Sequence, residues 1–190
     1  SPESSATLLR GVCASPGSAF GQVFQVAEPE LHIEEQGAGE SVEHAALSRA
    51  LLVATEALQV LQDKAVGSAQ AEIFRAHQEL LEDPTLLEQA HRLLTEGKSA
   101  AFAWNSATAA TAKLFLGLGS ALLAERAADL ADVGQRVLKL ILGIEDSAWV
   151  LPDRAIVIAE QLTPSQTAGL DTRKVLGLSL IHISEPTRLR

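Results

Sequence analysis

The chain has no methionine, a single cysteine (Cys13), and aromatic residues at only 4% of its 190 positions. One cysteine excludes a disulfide framework and a cysteine-based metal site, and leaves Cys13 to be read as a small buried hydrophobe. With so few aromatics, a core must be built from Leu, Ala, Val and Ile. The 47% hydrophobic content supplies one, in a mixture that favours helix. No apolar run is long enough to span a bilayer, and no charged-then-apolar leader precedes a cleavage site, so a soluble cytoplasmic protein without membrane insertion is expected. Also missing are a glycine-rich phosphate loop ending in Lys-Ser or Lys-Thr and any Ser-His-Asp signal. The lack of an initiator, together with the Ser-rich opening Ser1 to Thr7, reads as a linker with something upstream.

Basic residues are the scarcer charge, 15 Lys and Arg against 24 Asp and Glu, for a net charge of −9. The sign disfavours nucleic acid as a partner. From Glu30 to Glu96 there are 13 acidic and 4 basic residues, so the excess sits in one half of the chain. It reads either as a solvated face that aids solubility or as a docking surface for a basic partner.

What is present is mostly helical periodicity. Ser41 to about Val66 carries Leu47, Leu51, Ala54, Leu58, Leu61 and Ala65 at alternating spacings of four and three, the seam of a helix packed lengthwise. Next, Ile73, His77, Leu80 and Leu81 fall on one face, and Glu72, Arg75, Glu79 and Glu82 point away from it. Asp83 caps a new helix with Pro84 at its first position, giving a bent pair that ends at Gly97. Ser99 opens a further helix with Ala103, Trp104, Ala107, Ala110 and Leu114 inward. Another runs from Ser120 to Leu142 with Leu123, Ala127, Leu130, Val133, Val137, Leu140 and Ile141 inward, stopping at Gly143. These are four main helices with a kink, arranged as an irregular bundle. On either side, Val23, Phe24 and Val26, then Ala155 to Ala159, then Lys174 to Gly177 read as strands, with a short helix over Ser165 to Leu170.

Taken by itself, His77 on an apolar face is a hydrogen-bonded packing residue before it is a chemical one. His32, His44 and His91 lie among glutamates without ligand spacing, which argues against a metal site. Arg126, Asp129, Asp132 and Arg136 are spaced either for ion pairs along one helix or to border a binding surface.

Four stretches carry a family resemblance. IF-x-AH-x-x-LL-x-DP-x-L from Ile73 resembles the helical domain of Enzyme I of the bacterial phosphoenolpyruvate:sugar phosphotransferase system. G-x-x-A-S-P-G-x-A-x-G from Gly11 resembles that family's opening, RA-x-DL-x-D-x-G-x-R-x-L from Arg126 a later helix, and LTPS-x-T from Leu162 the segment after it. They occur in the family's order between about Leu9 and Gly177. The resemblance implies a mixed, mostly α fold: a four-helix subdomain that binds the phosphocarrier protein HPr, inserted in an incomplete α/β phosphohistidine domain. The implied division is a linker over 1–8, first strands over 9–30, the helical domain over 31–146, and the start of the remaining α/β domain over 147–177.

The family transfers phosphoryl from phosphoenolpyruvate to a histidine and on to HPr, using a C-terminal barrel that binds phosphoenolpyruvate and Mg²⁺ and forms the homodimer. Neutral imidazole suits this as a nucleophile that passes the group onward. The family's phosphoacceptor lies in a GG-x-TSH motif about eleven residues past Gly177, and this sequence has none there. Residues 178–190 instead resemble the conceptual translation of a sequencing-library adapter, which makes His182 a decoy. The resemblance therefore implies a fragment of a phosphoenolpyruvate–protein phosphotransferase, or of a fused multiphosphoryl protein with an upstream HPr-like domain. It would be inactive alone but would keep carrier docking through Glu72, His77, Glu79, Glu82 and Asp83, with Arg126 at the edge. The alternatives are a swivelling-domain fragment of a pyruvate-phosphate dikinase or phosphoenolpyruvate synthase relative, and a non-catalytic helical interaction module.

Overall fold

A computed structural model of the chain describes residues 13, 15–26, 31–144, 149–160, 162, 166–167 and 169–180. The expected linker at 1–8, the Thr163–Ser165 part of the LTPS segment, and His182 with the rest of 181–190 lie outside them. The described residues fall into two compact units.

The helical unit contains α1 (Glu40–Lys64), α2 (Ala69–Leu81), α3 (Pro84–Thr95), α4 (Ala100–Gly117) and α5 (Ala121–Ile141). Its core is mainly aliphatic: Leu47, Ala54 and Leu58 of α1 meet Leu86 and Leu94 of α3, Trp104 of α4, and Leu130, Val133 and Val137 of α5. Each fully buried Leu or Val contributes about 1.5–3 kcal/mol of transfer free energy, so the bundle needs few aromatics. Local signals set the helix ends. The Asp83 carboxylate accepts the Leu86 N–H at 3.0 Å, with Pro84 at the start of α3, and the Ser99 hydroxyl accepts the Phe102 N–H at 3.1 Å. Gly143 ends α5 with φ +67, a conformation that side chains with a Cβ resist.

The segment before α1 is pinned rather than free. Gln36 bridges to Lys98, Ser99 donates its N–H to Glu35, and the Glu43 carboxylate accepts from both the Ala38 and Ala100 amides. One acidic side chain in the first turn of α1 so satisfies a buried amide without an intrahelical partner at the start of α4 as well.

Four inward assignments shift. Phe74, not Ile73, is buried on α2, and Leu138, not Leu140, is buried on α5. Leu114 is 62% exposed and Ala110 also faces outward, while Ala112 and Phe115 of the same turns pack against the core.

The second unit is a three-stranded parallel sheet, order β1-β2-β3, of β1 (Gln22–Gln25), β2 (Ala155–Ala159) and β3 (Val175–Leu180). β2 alternates: Ala155, Val157 and Ala159 are buried, while Ile156 and Ile158 are half-buried. β3 continues to Leu180, so Leu178, Ser179 and Leu180, placed in the non-native tail on sequence grounds, pair with Val157, Ile158 and Ala159 through the backbone. Gly21 is needed for approach rather than for a turn, since a Cβ there would lie 2.0 Å from the Arg154 carbonyl oxygen. Cys13 is exposed, not buried, and its thiol donates to the Ser15 carbonyl.

Candidate functional site

The acidic ridge foreseen on α2 is present. Glu72, Arg75 and Glu79 share a face by their spacing of three and four. The Arg75 guanidinium reaches Glu72 at 2.7 Å and Glu79 at 3.1 Å. The Glu72 carboxylate, by hydrogen bond and charge, and then Glu79 hold that guanidinium more firmly protonated than usual. Glu79 is shared: its other oxygen lies 3.5 Å from Nη2 of Arg126 on α5. Glu82, exposed, ends α2, and the neighbouring Asp83 is half-buried with one oxygen committed to its cap. The surface so offers four carboxylates against two guanidiniums, both already engaged, and keeps a negative bias with a defined positive edge at Arg126.

His77 sits beneath that surface and not on it. It has no exposed area, so it makes no direct contact with a partner in this conformation. Its Nε2 lies 3.4 Å from Asp129 Oδ1, and its Nδ1, 4.0 Å from Asp132 Oδ2, has no hydrogen-bond partner among the described residues. Both aspartates come from the Arg126 motif. The contacts seen for that quartet leave the helix: Arg126 goes to Glu79, and Asp129 to His77. The motif's Gly134 allows close packing, since a Cβ there would meet the Thr108 side chain at 3.3–3.5 Å.

The periodicity missed a cluster of exposed leucines where α4 gives way to α5. Leu116, Leu118 and Leu122 are each 60% exposed or more. Leu122 precedes Arg126 by one turn and shares its face, so apolar surface adjoins the charged ridge. The signal was Leu116-Gly117-Leu118-Gly119, where paired glycines end a helix and strip its last leucines of cover.

His44 and His91 stack across α1 and α3 with ring centroids 4.9 Å apart, and His32 pairs with Glu34 at 2.8 Å on an exposed segment. Among the described residues no group of three or more His, Cys, Asp or Glu is arranged to hold a metal ion. None of the described helices is long and apolar enough to cross a membrane.

A family model described as "PEP-utilising enzyme, N-terminal" matches residues 10–126. The multiphosphoryl transfer protein of Rhodobacter capsulatus is 39% identical over 175 residues, covering 90% of this chain and 21% of that protein. The phosphoenolpyruvate-protein phosphotransferase of Lactococcus lactis is 35% identical over 179 residues, covering 89% of this chain and 31% of that protein. A solution NMR structure of Enzyme I matches with a TM-score of 0.73 and 36% identity, over 90% of this chain and 72% of that one. The N-terminal domain of a protein described as "Enzyme 1 - Nitrogen" matches with a TM-score of 0.61 and 26% identity, over 90% and 74%. The chain spans 21–31% of the length of these two curated relatives.

Proposed function

The chain belongs to the family of N-terminal domains of PEP-utilising enzymes, and from that premise we propose that its helical unit docks the phosphocarrier protein HPr for a phosphoenolpyruvate–protein phosphotransferase. The observation that carries the reading is the ridge Glu72–Arg75–Glu79 joined to Arg126 across two helices, with exposed Leu122 one turn away. An acidic rim beside an apolar patch fits a carrier whose own histidine is ringed by basic residues. The charges speed and orient the encounter, and the leucines supply apolar area to bury.

In this reading the parent enzyme works in the cytoplasm as a homodimer and takes phosphoryl from phosphoenolpyruvate with Mg²⁺ at a separate barrel, through which it dimerises. The helical span 31–146 is the docking part, and 9–30 with 147–177 belong to the phosphohistidine α/β domain. The chain of 190 residues docks the carrier without itself receiving phosphoryl from phosphoenolpyruvate. Among its described histidines, His77 is closed off from solvent, His44 and His91 stack on each other, and the exposed His32 is paired with Glu34.

Calorimetric titration with purified HPr at two salt concentrations tests the proposal. Binding that weakens as salt rises is expected. No heat of binding from a folded chain would overturn it.

A further inference from the structure

Among the described residues, His77 is the one titratable side chain with no exposed surface at all. The contacts around it come from two helices. On α5, Asp129 faces Nε2 at 3.4 Å and Asp132 faces Nδ1 at 4.0 Å. On α2 itself, Phe74 meets the ring edge-on one turn earlier, with centroids 6.4 Å apart. Two residues further along α2, Glu79 meets Arg126, three residues back along α5. The same two helices are therefore joined twice, once in the core and once at the surface, at positions that advance in opposite directions along the two helices.

The two joints respond differently to a slip of one helix along the other. Water can replace either partner of the exposed Glu79–Arg126 pair, so that pair fixes little by itself. The buried imidazole has no such replacement. Moved away from Asp129, it becomes an unsatisfied polar group inside the bundle, and its Nδ1 already lacks a hydrogen bond. A slip of α2 on α5 that breaks the Asp129 contact meets that penalty unless it carries Asp132, 4.0 Å from Nδ1, into hydrogen-bond range.

We propose that His77 is a positioning residue of the docking face: its contact with Asp129 sets the register of α2 against α5 and so holds Glu79 opposite Arg126. The functional half of this inference rests on the docking reading above. A ridge whose charges are held in one pattern before the encounter loses less freedom on binding than one that must be arranged by the partner.

The test uses the full 190-residue chain and the variants His77→Leu and His77→Gln. Leucine fills volume without a donor, whereas the glutamine amide nitrogen reaches about where Nε2 stands. Two readouts are taken: side-chain NMR cross-peaks between Glu79 and Arg126, and the affinity for purified HPr. A folded H77L that loses those cross-peaks and binds HPr roughly two- to fivefold more weakly, with both restored in H77Q, is the expected result. A folded H77L with unchanged cross-peaks overturns the positioning role, and lost cross-peaks with unchanged affinity overturn its link to docking. Should H77L not fold, Asp129→Ala removes the acceptor from a partly exposed site, and the same two readings decide. If wild type fails to bind HPr, the docking reading falls, while the cross-peaks still decide whether His77 sets the register.

Discussion

The indole N–H of Trp104 donates to the backbone carbonyl of Gly134 at 2.9 Å, so the largest buried side chain of α4 is tied to the one residue of α5 that has no side chain of its own. Around it, Thr108 donates its hydroxyl back to the Trp104 and Asn105 carbonyls and faces Gly134 directly. The seam is set by a glycine that lets two helices approach and an indole that donates to its buried carbonyl. Trp104→Phe loses volume and a buried hydrogen bond and should cost about 2–4 kcal/mol, read as a lower urea midpoint with unchanged slope.

Gly134→Ala sets two effects against each other. Alanine gains about 1 kcal/mol of helix propensity, but overpacking against Thr108 costs about 1–3 kcal/mol. The held Thr108 rotamer leaves overpacking ahead, so a net loss of about 1 kcal/mol is expected. In a Thr108→Ala background the same change should become neutral or stabilising, and an unchanged penalty there would place its cause elsewhere.

Asp83 serves the fold before it serves any partner. Asp83→Ala should cost about 1 kcal/mol through loss of the cap, and Asp83→Asn should cost much less because its amide oxygen still accepts the Leu86 N–H. Comparing HPr affinity in the asparagine variant then isolates the carboxylate's charge. A drop in affinity at constant stability would put that charge on the docking face.

Glu79→Lys and Glu82→Lys act on exposed carboxylates and should each weaken HPr binding roughly two- to fivefold, mainly through slower association. The effect should shrink at high salt. Equal loss at all ionic strengths would point to unfolding of α2 and not to electrostatics.

In the sheet unit, the Asp171 carboxyl is held below its ordinary 3.8, first by the Arg173 guanidinium, which donates to both its oxygens, and then by the Arg173 N–H. A depressed folded value means the contribution to stability is whole above 3.8 and is lost as pH falls through the lower folded value. Carboxyl carbon NMR should find its midpoint below 3.8, rising toward 3.8 in Arg173→Ala.

The helices were legible because their signals are local. Asp83-Pro84, Ser99 and Gly143 mark their own helix ends whatever the tertiary structure does, and the acidic ridge of α2 follows from spacing alone. Burial near helix ends was not legible: Leu114 and Leu140 fit the expected period but stay exposed, while the next residues along, Phe115 and Ile141, pack on the core. His77 was placed on the right face, yet its depth depends on Asp129, 52 residues away, which no local pattern reveals. The leucines around Gly117 and Gly119 went unread as surface for the same reason, since exposure there depends on what the other helices fail to reach.

The most direct measurement is an amide NMR titration of the 190-residue chain with purified HPr. The account predicts shifts concentrated from Glu72 to Asp83 and from Leu122 to Arg126, with the sheet strands undisturbed. A folded chain that shows no shifts, or shifts confined to residues outside α2 and the start of α5, would contradict it.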